Sequence, residues 1–574
     1  MVKRVKGQGV SKGRELKGKV QKMFRPAEKN GSEVLFFPFA HSTISPSSIR
    51  SAIAALLCVA LCAGVLIITP PHTFAGDKTR NRAERALREG DYDLAEKLYR
   101  ELLAKDVRDK EARLGLSFTL YKKRNLIDAF DHSARVLSED PLSARAHSLL
   151  GTVILASGDF RRSTEEFRTA LSIKSDDAWA VAGLAMVDFY ENRLDQSVQG
   201  LKRAAFIDPY EPDFVFDLGQ VASRTERYKE AADAYERFLL IAPKTDTDRR
   251  DRIRGLIDFL RYLGDQGSLY TPGGEGRTSL TFETGSTRPI MQVRVNGSKE
   301  PLRFVLDTGS GMSVISEETA KHLGIRTVAR GGLARAVGGG GRFEIVYGFL
   351  SSMDIGDVRV SNIPVYIRKF YSSGTPVDGY IGLSVISKYI ATVDYGTHNF
   401  SLTRQRGSDD VKSEGQKTPG FEIPMRITSS GFLSGEVKLD GVERPLNFII
   451  DTGADLSVVS QFLYKLEDIA SFTKKERMTI YGAAGIAENV TTLLLPRVSL
   501  GAHAREGVRA VVLDLEPVNE TAGFDQSGIL GSNFLQHFRV TFDFQRAMMH
   551  LEQLRGAGLQ NEGTPPAANV PEQP

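Results

Sequence analysis

The sequence predicts a multidomain chain: a transmembrane helix near the N-terminus, then an all-α repeat solenoid, then an all-β region built as two lobes. Three observations point there. An uncharged apolar run fills residues 52–68, large and small residues recur every 34 positions between 79 and 262, and a β-rich pattern between 278 and 552 occurs twice at a constant offset. The composition, 41% hydrophobic and 25% charged, is enough to build several ordinary cores.

Residues 1–50 form a basic leader, with eleven Lys and Arg against Glu15, Glu28 and Glu33, a net of +8. Segment 51–69 follows, and its run Ala52 to Ile68 has 17 residues. At about 1.5 Å of rise per residue that is the lower limit for crossing a bilayer. The basic flank in front predicts a single-pass anchor through residues 52–68, with a cytoplasmic N-terminus and both later domains extracytoplasmic, periplasmic in a bacterium. A cleaved signal peptide and a secreted product form the rival reading, because Thr73-Phe74-Ala75 offers a small-residue processing site. Basic residues beside a membrane segment set topology more economically than they bind nucleic acid. The whole-chain charge of +4 leaves the remainder at −4, so no nucleic-acid partner is expected. Cys58 and Cys62 both sit in the apolar run, which leaves the later domains without a disulfide. The nine His show no metal-binding spacing, and neither a metal nor another cofactor is expected.

The solenoid rests on periodicity. Tyr92, Leu126, Phe160, Leu194 and Tyr228 are each 34 residues apart, and Ala95, Ala129, Ser163, Ser197 and Ala231 follow three later. Pro141, Pro209 and Pro243 fall fifteen after the large residue, where a helix should stop. Gly151, Ala185 and Gly219 occupy the close-packing position of the preceding helix. This pattern resembles tetratricopeptide repeats, five units over 79–262, whose helix pairs stack into a superhelix with a concave groove. The resemblance implies a protein or peptide partner in that groove. A spacer holding the later lobes off a surface is the plainer alternative. A polar, glycine-bearing linker is expected at 264–277.

The two lobes rest on duplication. Phe304-Val305-Leu306-Asp307-Thr308-Gly309-Ser310 and Phe448-Ile449-Ile450-Asp451-Thr452-Gly453-Ala454 are displaced by 144 positions, as are the turns Asn296-Gly297 and Asp440-Gly441 ahead of them. Asn-Gly and Asp-Gly between alternating apolar residues signal hairpins, because both turn positions favour positive φ. Downstream, Gly338, Gly339, Gly340 and Gly341 begin 31 residues after Asp307, and Gly482-Ala483-Ala484-Gly485 begins 31 after Asp451. Tyr380-Ile381-Gly382 pairs with Ile529-Leu530-Gly531, and Asp394 with Asp543, the last two more naturally strand-end residues. The lobes are expected at 278–403 and 419–552, with a linker at 404–418 and a disordered tail at 555–574.

These halves resemble the aspartic protease superfamily, pepsin-like and retroviral-type, in which two apolar residues precede Asp-Thr-Gly-Ser/Thr/Ala and two more precede a later Gly. The second half, with Asp-Thr-Gly-Ala-Asp at 451–455, is the more retroviral in appearance. The resemblance implies an all-β bilobal acid-protease barrel and an endopeptidase acting on peptide or protein substrates, with Asp307 and Asp451 as the dyad. It makes Thr308 and Thr452 cross-lobe orienting residues, Gly309 and Gly453 points of close approach, and Gly382 and Gly531 structural. It also makes the glycines at 338–341, with Gly482 and Gly485, flaps over the substrate, plain loops being the alternative. Two carboxylates about 3 Å apart cannot both ionise, the known behaviour of this family, so the pair shares a proton and acts as acid and base at once. Which Asp plays which part is left open, because coupled carboxyls titrate together. Ser310 offers a hydroxyl to its Asp and Ala454 cannot, which predicts activity at milder pH than in pepsin-like enzymes. Two alternatives stand beside an intramolecular dyad: each lobe pairing with its own copy, and a catalytically silent binding scaffold.

Overall fold

The computed structural model describes residues 73–245, 247–372, 374–405 and 421–554. The basic leader, segment 51–69 with both cysteines, most of the expected linker 404–418 and the tail from 555 lie outside the described residues. Among the described residues no helix is long and apolar enough to cross a membrane. The strongly apolar Ala178–Tyr190 has 13 residues, short of the roughly 20 a span needs. The transmembrane helix is therefore corrected out of the expected fold class, and the architecture is a helical solenoid followed by a β-rich region.

The solenoid consists of α1 (Thr73–Glu89), α2 (Tyr92–Lys105), α3 (Lys110–Lys122), α4 (Leu126–Glu139), α5 (Ala144–Ala156) and α6 (Phe160–Ile173). It continues through α7 (Ala178–Tyr190), α8 (Leu194–Ile207), α9 (Pro212–Arg224), α10 (Tyr228–Ile241) and α11 (Thr247–Gly264). Asp91, Asp109, Asn125, Ser143, Asp159 and Asp177 cap six successive helices through their side chains, each cap contributing about 1 kcal/mol. Helices α4, α8 and α10 end two residues before Pro141, Pro209 and Pro243. The close-packing glycines have a direct cause: a Cβ on Gly151 would fall 2.8 Å from the Phe167 ring, and one on Gly219 2.9 Å from Tyr235.

The lobes share one topology. In the first, β1 (Thr271–Gly274), β2 (Arg277–Thr281), β3 (Ile290–Val295), β4 (Leu302–Leu306) and β5 (Ser313–Ser316) lead to the hairpin β6 (Ala329–Arg335) and β7 (Arg342–Ile355). Next come β8 (Val358–Arg368), β9 (Gly379–Ile381), β10 (Tyr389–Asp394) and β11 (Asn399–Arg404). The second holds β12 (Phe421–Pro424), β13 (Arg426–Ile427), β14 (Leu433–Leu439), β15 (Leu446–Ile450) and β16 (Ser457–Ser460). It continues with β17 (Thr473–Gly482), β18 (Gly485–Leu500), β19 (His503–Leu513), β20 (Gly528–Leu530), β21 (Phe538–Asp543) and β22 (Met548–Gln553). Pairing closes the ring β3-β4-β9-β5-β8-β7 in one lobe and β14-β15-β20-β16-β19-β18 in the other, each a small closed barrel. A six-stranded sheet, β12-β22-β21-β10-β11-β2, joins the lobes.

Asn296 and Gly297 both take positive φ as their turn predicts, whereas in the second lobe Gly441 does and Asp440 does not. Asp394 and Asp543 do sit at strand ends, accepting backbone N–H groups of Gly396 and Arg546. The expected linker 264–277 is ordered: β1 adds to the edge of β8, and Leu269 and Tyr270 are buried.

The solenoid docks on the lobes through one repeated position. Arg124, Gly158, Asn192 and Glu226 lie 34 apart in turns between helices, each with left-handed backbone. Arg124 pairs with Glu516 at 3.0 Å and with Asp525, and the Gly158 carbonyl accepts from Asn447 at 3.1 Å. Asn192 donates to the Phe544 carbonyl at 3.0 Å, and Glu226 pairs with Lys388 at 2.9 Å. Phe524 of the second lobe is fully buried among solenoid rings, edge-on to Phe160 and Tyr190. Helix α11 packs on the β6–β7 hairpin of the first lobe, where Phe259 stacks on Tyr347 of β7 at 4.2 Å between ring centroids.

Candidate active site

The last three residues of β4 and β15 are apolar, and burial of Phe304 to Leu306 and Phe448 to Ile450 fixes where each chain emerges. Asp307 and Asp451 are the residues that emerge. Their backbone N–H groups donate to Ile381 and Leu530 at 3.0 Å, on the parallel neighbours β9 and β20. Gly382 and Gly531 follow those strands, where a Cβ would fall 2.6 Å from the Met312 carbonyl carbon or 2.7 Å from that of Leu456.

The two loops interlock. Thr308 Oγ1 donates to the Ile450 carbonyl and Thr452 Oγ1 to the Leu306 carbonyl, both at 2.7 Å. The Thr452 N–H donates back to Thr308 Oγ1 at 3.1 Å, and the Thr308 N–H to Thr452 Oγ1 at 3.2 Å. Both threonines are fully buried. Four bonds between the strand ends set the separation of the aspartates. A Cβ on Gly309 would fall 2.5 Å from the Asp451 carboxyl carbon, and one on Gly453 2.9 Å from that of Asp307.

The carboxyls of Asp307 and Asp451 share a hydrogen bond. Burial, then the charge of Asp451, holds Asp307 well above the usual carboxylate range. Asp451 is also raised by burial, but it accepts backbone N–H bonds from Gly453 at 2.7 Å and Ala454 at 3.1 Å, which favour its ionised form. The backbone donors thus favour charge on Asp451, while both carboxyls are held above the usual range. The expected hydroxyl bond from Ser310 is absent: its Oγ donates to the Met312 carbonyl at 2.7 Å, because the tight loop leaves that oxygen within reach.

Gly338, Gly339 and Gly340 have positive φ and form the tip of the β6–β7 hairpin. They meet the β17–β18 tip backbone to backbone: a Cβ on Gly338 would fall 2.7 Å from Gly482 Cα, one on Gly339 2.6 Å from Gly485 Cα, and one on Gly341 2.8 Å from the Ala484 carbonyl oxygen. Gly338, Gly482 and both aspartates line a single cavity of about 2870 Å³.

Sequence reasoning missed Arg288. It pairs with Asp455 at 3.2 Å and bonds the Tyr380 hydroxyl, and its charge reaches Asp307. Asp455 also accepts from Thr287 Oγ1 at 2.8 Å. The position 144 residues beyond Arg288 is Phe432, so duplication carried no trace of it. Ser532 Oγ donates to the Thr452 carbonyl at 2.8 Å and braces the second loop from behind. Its signal was its place directly after Gly531.

Residues 291–385 match the aspartyl protease family, residues 436–537 the gag-polyprotein aspartyl protease family, and residues 80–132 the tetratricopeptide repeat family. Anaphase-promoting complex subunit 3 of Schizosaccharomyces pombe is 30% identical over 125 residues, 21% of this chain and 18% of that protein, so the chain spans under a fifth of this relative. A thermophilic tetratricopeptide-repeat protein of Thermus thermophilus is similar over 32% of this chain and 98% of its own, at 20% identity and a TM-score of 0.28. The corresponding figures for pilF of Pseudomonas aeruginosa are 33%, 87%, 14% and 0.25.

Proposed function

We propose that the chain is an aspartic endopeptidase whose dyad, Asp307 and Asp451, forms within one molecule, and whose repeat domain binds protein or peptide. The observation that carries this reading is the hydrogen-bonded carboxyl pair, locked across the lobes by Thr308 and Thr452. An extended substrate lies under the glycine tips, and a water sits between the carboxyls. Asp451 takes a proton from that water as its oxygen attacks the peptide carbonyl, while Asp307 gives its own proton to the carbonyl oxygen. The resulting diol collapses as Asp451 hands its proton to the leaving nitrogen, the C–N bond breaks, and Asp307 recovers a proton from the diol hydroxyl. Nothing in this sequence of steps needs a covalent intermediate.

The test is cleavage of a peptide library by the full chain, with and without an aspartic-protease inhibitor, and by the Asp307→Asn and Asp451→Asn variants. Inhibitable cleavage lost in both variants supports the reading. Partial activity in each single variant indicates lobes paired between molecules. Cleavage of nothing between about pH 3 and about pH 8, spanning the carboxyl range, leaves a binding scaffold instead.

A further inference from the structure

The two ends of the cleft are unlike, although the lobes that build it are copies. At one end Arg288, Asp455 and Thr287 form a bonded cluster across the lobes. At the offset of 144 the positions answering to Arg288, Asp455 and Thr287 are Phe432, Gly311 and Gly431, so that cluster has no copy at the other end, where the nearest cross-lobe ion pair is Arg335 with Glu520 at 2.9 Å, beside the Thr521 carbonyl that accepts from Ser430. The backbones close up there instead: a Cβ on Gly311 would fall 2.6 Å from the Ser430 carbonyl oxygen and 3.0 Å from Gly431 Cα.

Immediately beyond it is the solenoid. Ser429 bonds the hydroxyl of Tyr190, the last residue of α7. The cavity that holds the dyad also holds Gly311 and Gly431 and runs on to Trp179, Asp213, Phe216 and Asp217 on the inner face of α7 and α9. Its 2870 Å³ exceeds the roughly 300–1,000 Å³ of a pocket for one small ligand, and suits a length of polypeptide.

The chemistry of the far stretch is specific. Trp179 stands edge-on to Phe118 and Phe214, an aromatic wall. Lys122 is paired with Asp213, Arg224 donates to the carbonyls of Ile427 and Thr428, and Arg249 lies over the Phe216 ring. Asp217 has neither an ion pair nor a hydrogen bond among the described residues. Burial and the neighbouring charge of Asp213 push it up to about 8 against the lowering charges of Arg249 and Lys122, neither of which is paired with it, so a cation brought into direct contact would favour its ionised form.

We infer that the concave face of the solenoid is the distal half of the substrate track: the polypeptide leaves the cleft past Gly311 and Gly431, and a Lys or Arg side chain of it pairs with Asp217 beside Trp179 and Phe216. This rests on the peptidase reading and adds a selection rule, a basic residue remote from the scissile bond. Affinity gained there favours long substrates over short ones.

The experiment compares kcat/KM for a core peptide chosen from the library, for the same peptide extended on each side by about ten residues, roughly 30 Å of chain, carrying one Lys, and for that extension with Lys→Gln. The extended basic peptide is expected to exceed the core by at least about tenfold, about 1.4 kcal/mol, and the Gln version to lose most of that advantage. In Asp217→Asn protein the ratio of extended to core peptide should fall toward one, and Asp217→Glu should restore part of it. Equal rates for core and extended peptides overturn the inference and leave the peptidase reading standing. An advantage indifferent to the peptide's Lys also overturns it. Failure to cleave either peptide overturns the peptidase reading and this inference together.

Discussion

Replacing Thr308 by Val tests the cross-lobe lock without changing its shape. The hydroxyl is fully buried, donates to the Ile450 carbonyl at 2.7 Å and accepts from the Thr452 N–H at 3.1 Å. Val fills the same space, so no cavity opens, but both partners are stranded on either side of Asp451. A stranded buried group costs about 1–3 kcal/mol, and two sharing one loop add imperfectly, which puts the loss at about 2–5 kcal/mol. Thr308→Ser keeps both bonds and removes one methyl, a loss of about 1 kcal/mol. Chemical denaturation of the full chain should be followed by far-ultraviolet circular dichroism for the sheets and by fluorescence of Trp179, the single tryptophan, for the solenoid. Several cores make a single two-state fit inappropriate, so the sheet transition is compared on its own. The Val variant should fall well below the Ser variant in that transition. If Val is as stable as Ser, packing holds the lobes in register and the lock is not made by hydrogen bonds.

Three further outcomes follow from the same geometry. Asp307→Asn should abolish cleavage yet stabilise the fold at neutral pH. The folded carboxyl is raised by burial and by Asp451, so its contribution is fully present below the unfolded value near about 4 and is lost as pH rises through the folded value, at about 1.4 kcal/mol per pH unit between them. The Asn variant's advantage in melting temperature should shrink to nothing on acidification, and an advantage that grows there would contradict the assignment. Gly309→Ala should lower kcat/KM by at least about a hundredfold, because the methyl would sit 2.5 Å from the Asp451 carboxyl carbon and displace a reacting group. Gly255→Ala, whose Cβ would lie 2.0 Å from the Arg330 carbonyl oxygen, should push α11 off the arm of the β6–β7 hairpin at a cost of about 1–3 kcal/mol, seen as faster amide exchange over residues 329–347.

What could be read in the sequence was what packing or chemistry forces into a fixed spacing. The 34-residue period survives because each repeat must place a small residue where its helices pack closely, as Gly151 does against the ring of Phe167 and Gly219 against that of Tyr235. The dyad was legible because the three residues before each Asp must be apolar and the residue after Thr must lack a Cβ. Features set by a partner surface left no such trace. Arg124, Gly158, Asn192 and Glu226 share one turn position, yet a period gives the position and not the surface it meets. Residues 271–274, Thr-Pro-Gly-Gly, include three residues that strands disfavour and become β1 because residues 358–361 of β8 offer an open edge. The direction of the Ser310 hydroxyl was decided by the nearest carbonyl, a matter of loop geometry that residue type does not record. Hydropathy over 52–68 spoke only of a run of apolar residues, and no described helix carries such a run.

A duplicated sequence predicts a symmetric site, so its departures from symmetry are the informative positions. The glycines and threonines of the loop repeat because both lobes need the same backbone approach and the same cross-bonds. Arg288 and Asp455 do not repeat, and neither do Ser310 and Ala454. The first pair bridges the lobes at one end of the cleft, while Phe432 and Gly311 stand at the answering positions of the other. The second difference leaves the carboxyls unequal only through the backbone, since Ser310 turns to Met312 while Ala454 and Gly453 present their N–H groups to Asp451. On the proposed peptidase reading, a site descended from two equal halves would acquire one acid, one base and one preferred direction for the chain that crosses it. The inferred direction is toward the solenoid, the neighbour the second lobe contacts through Phe524 and Ser429.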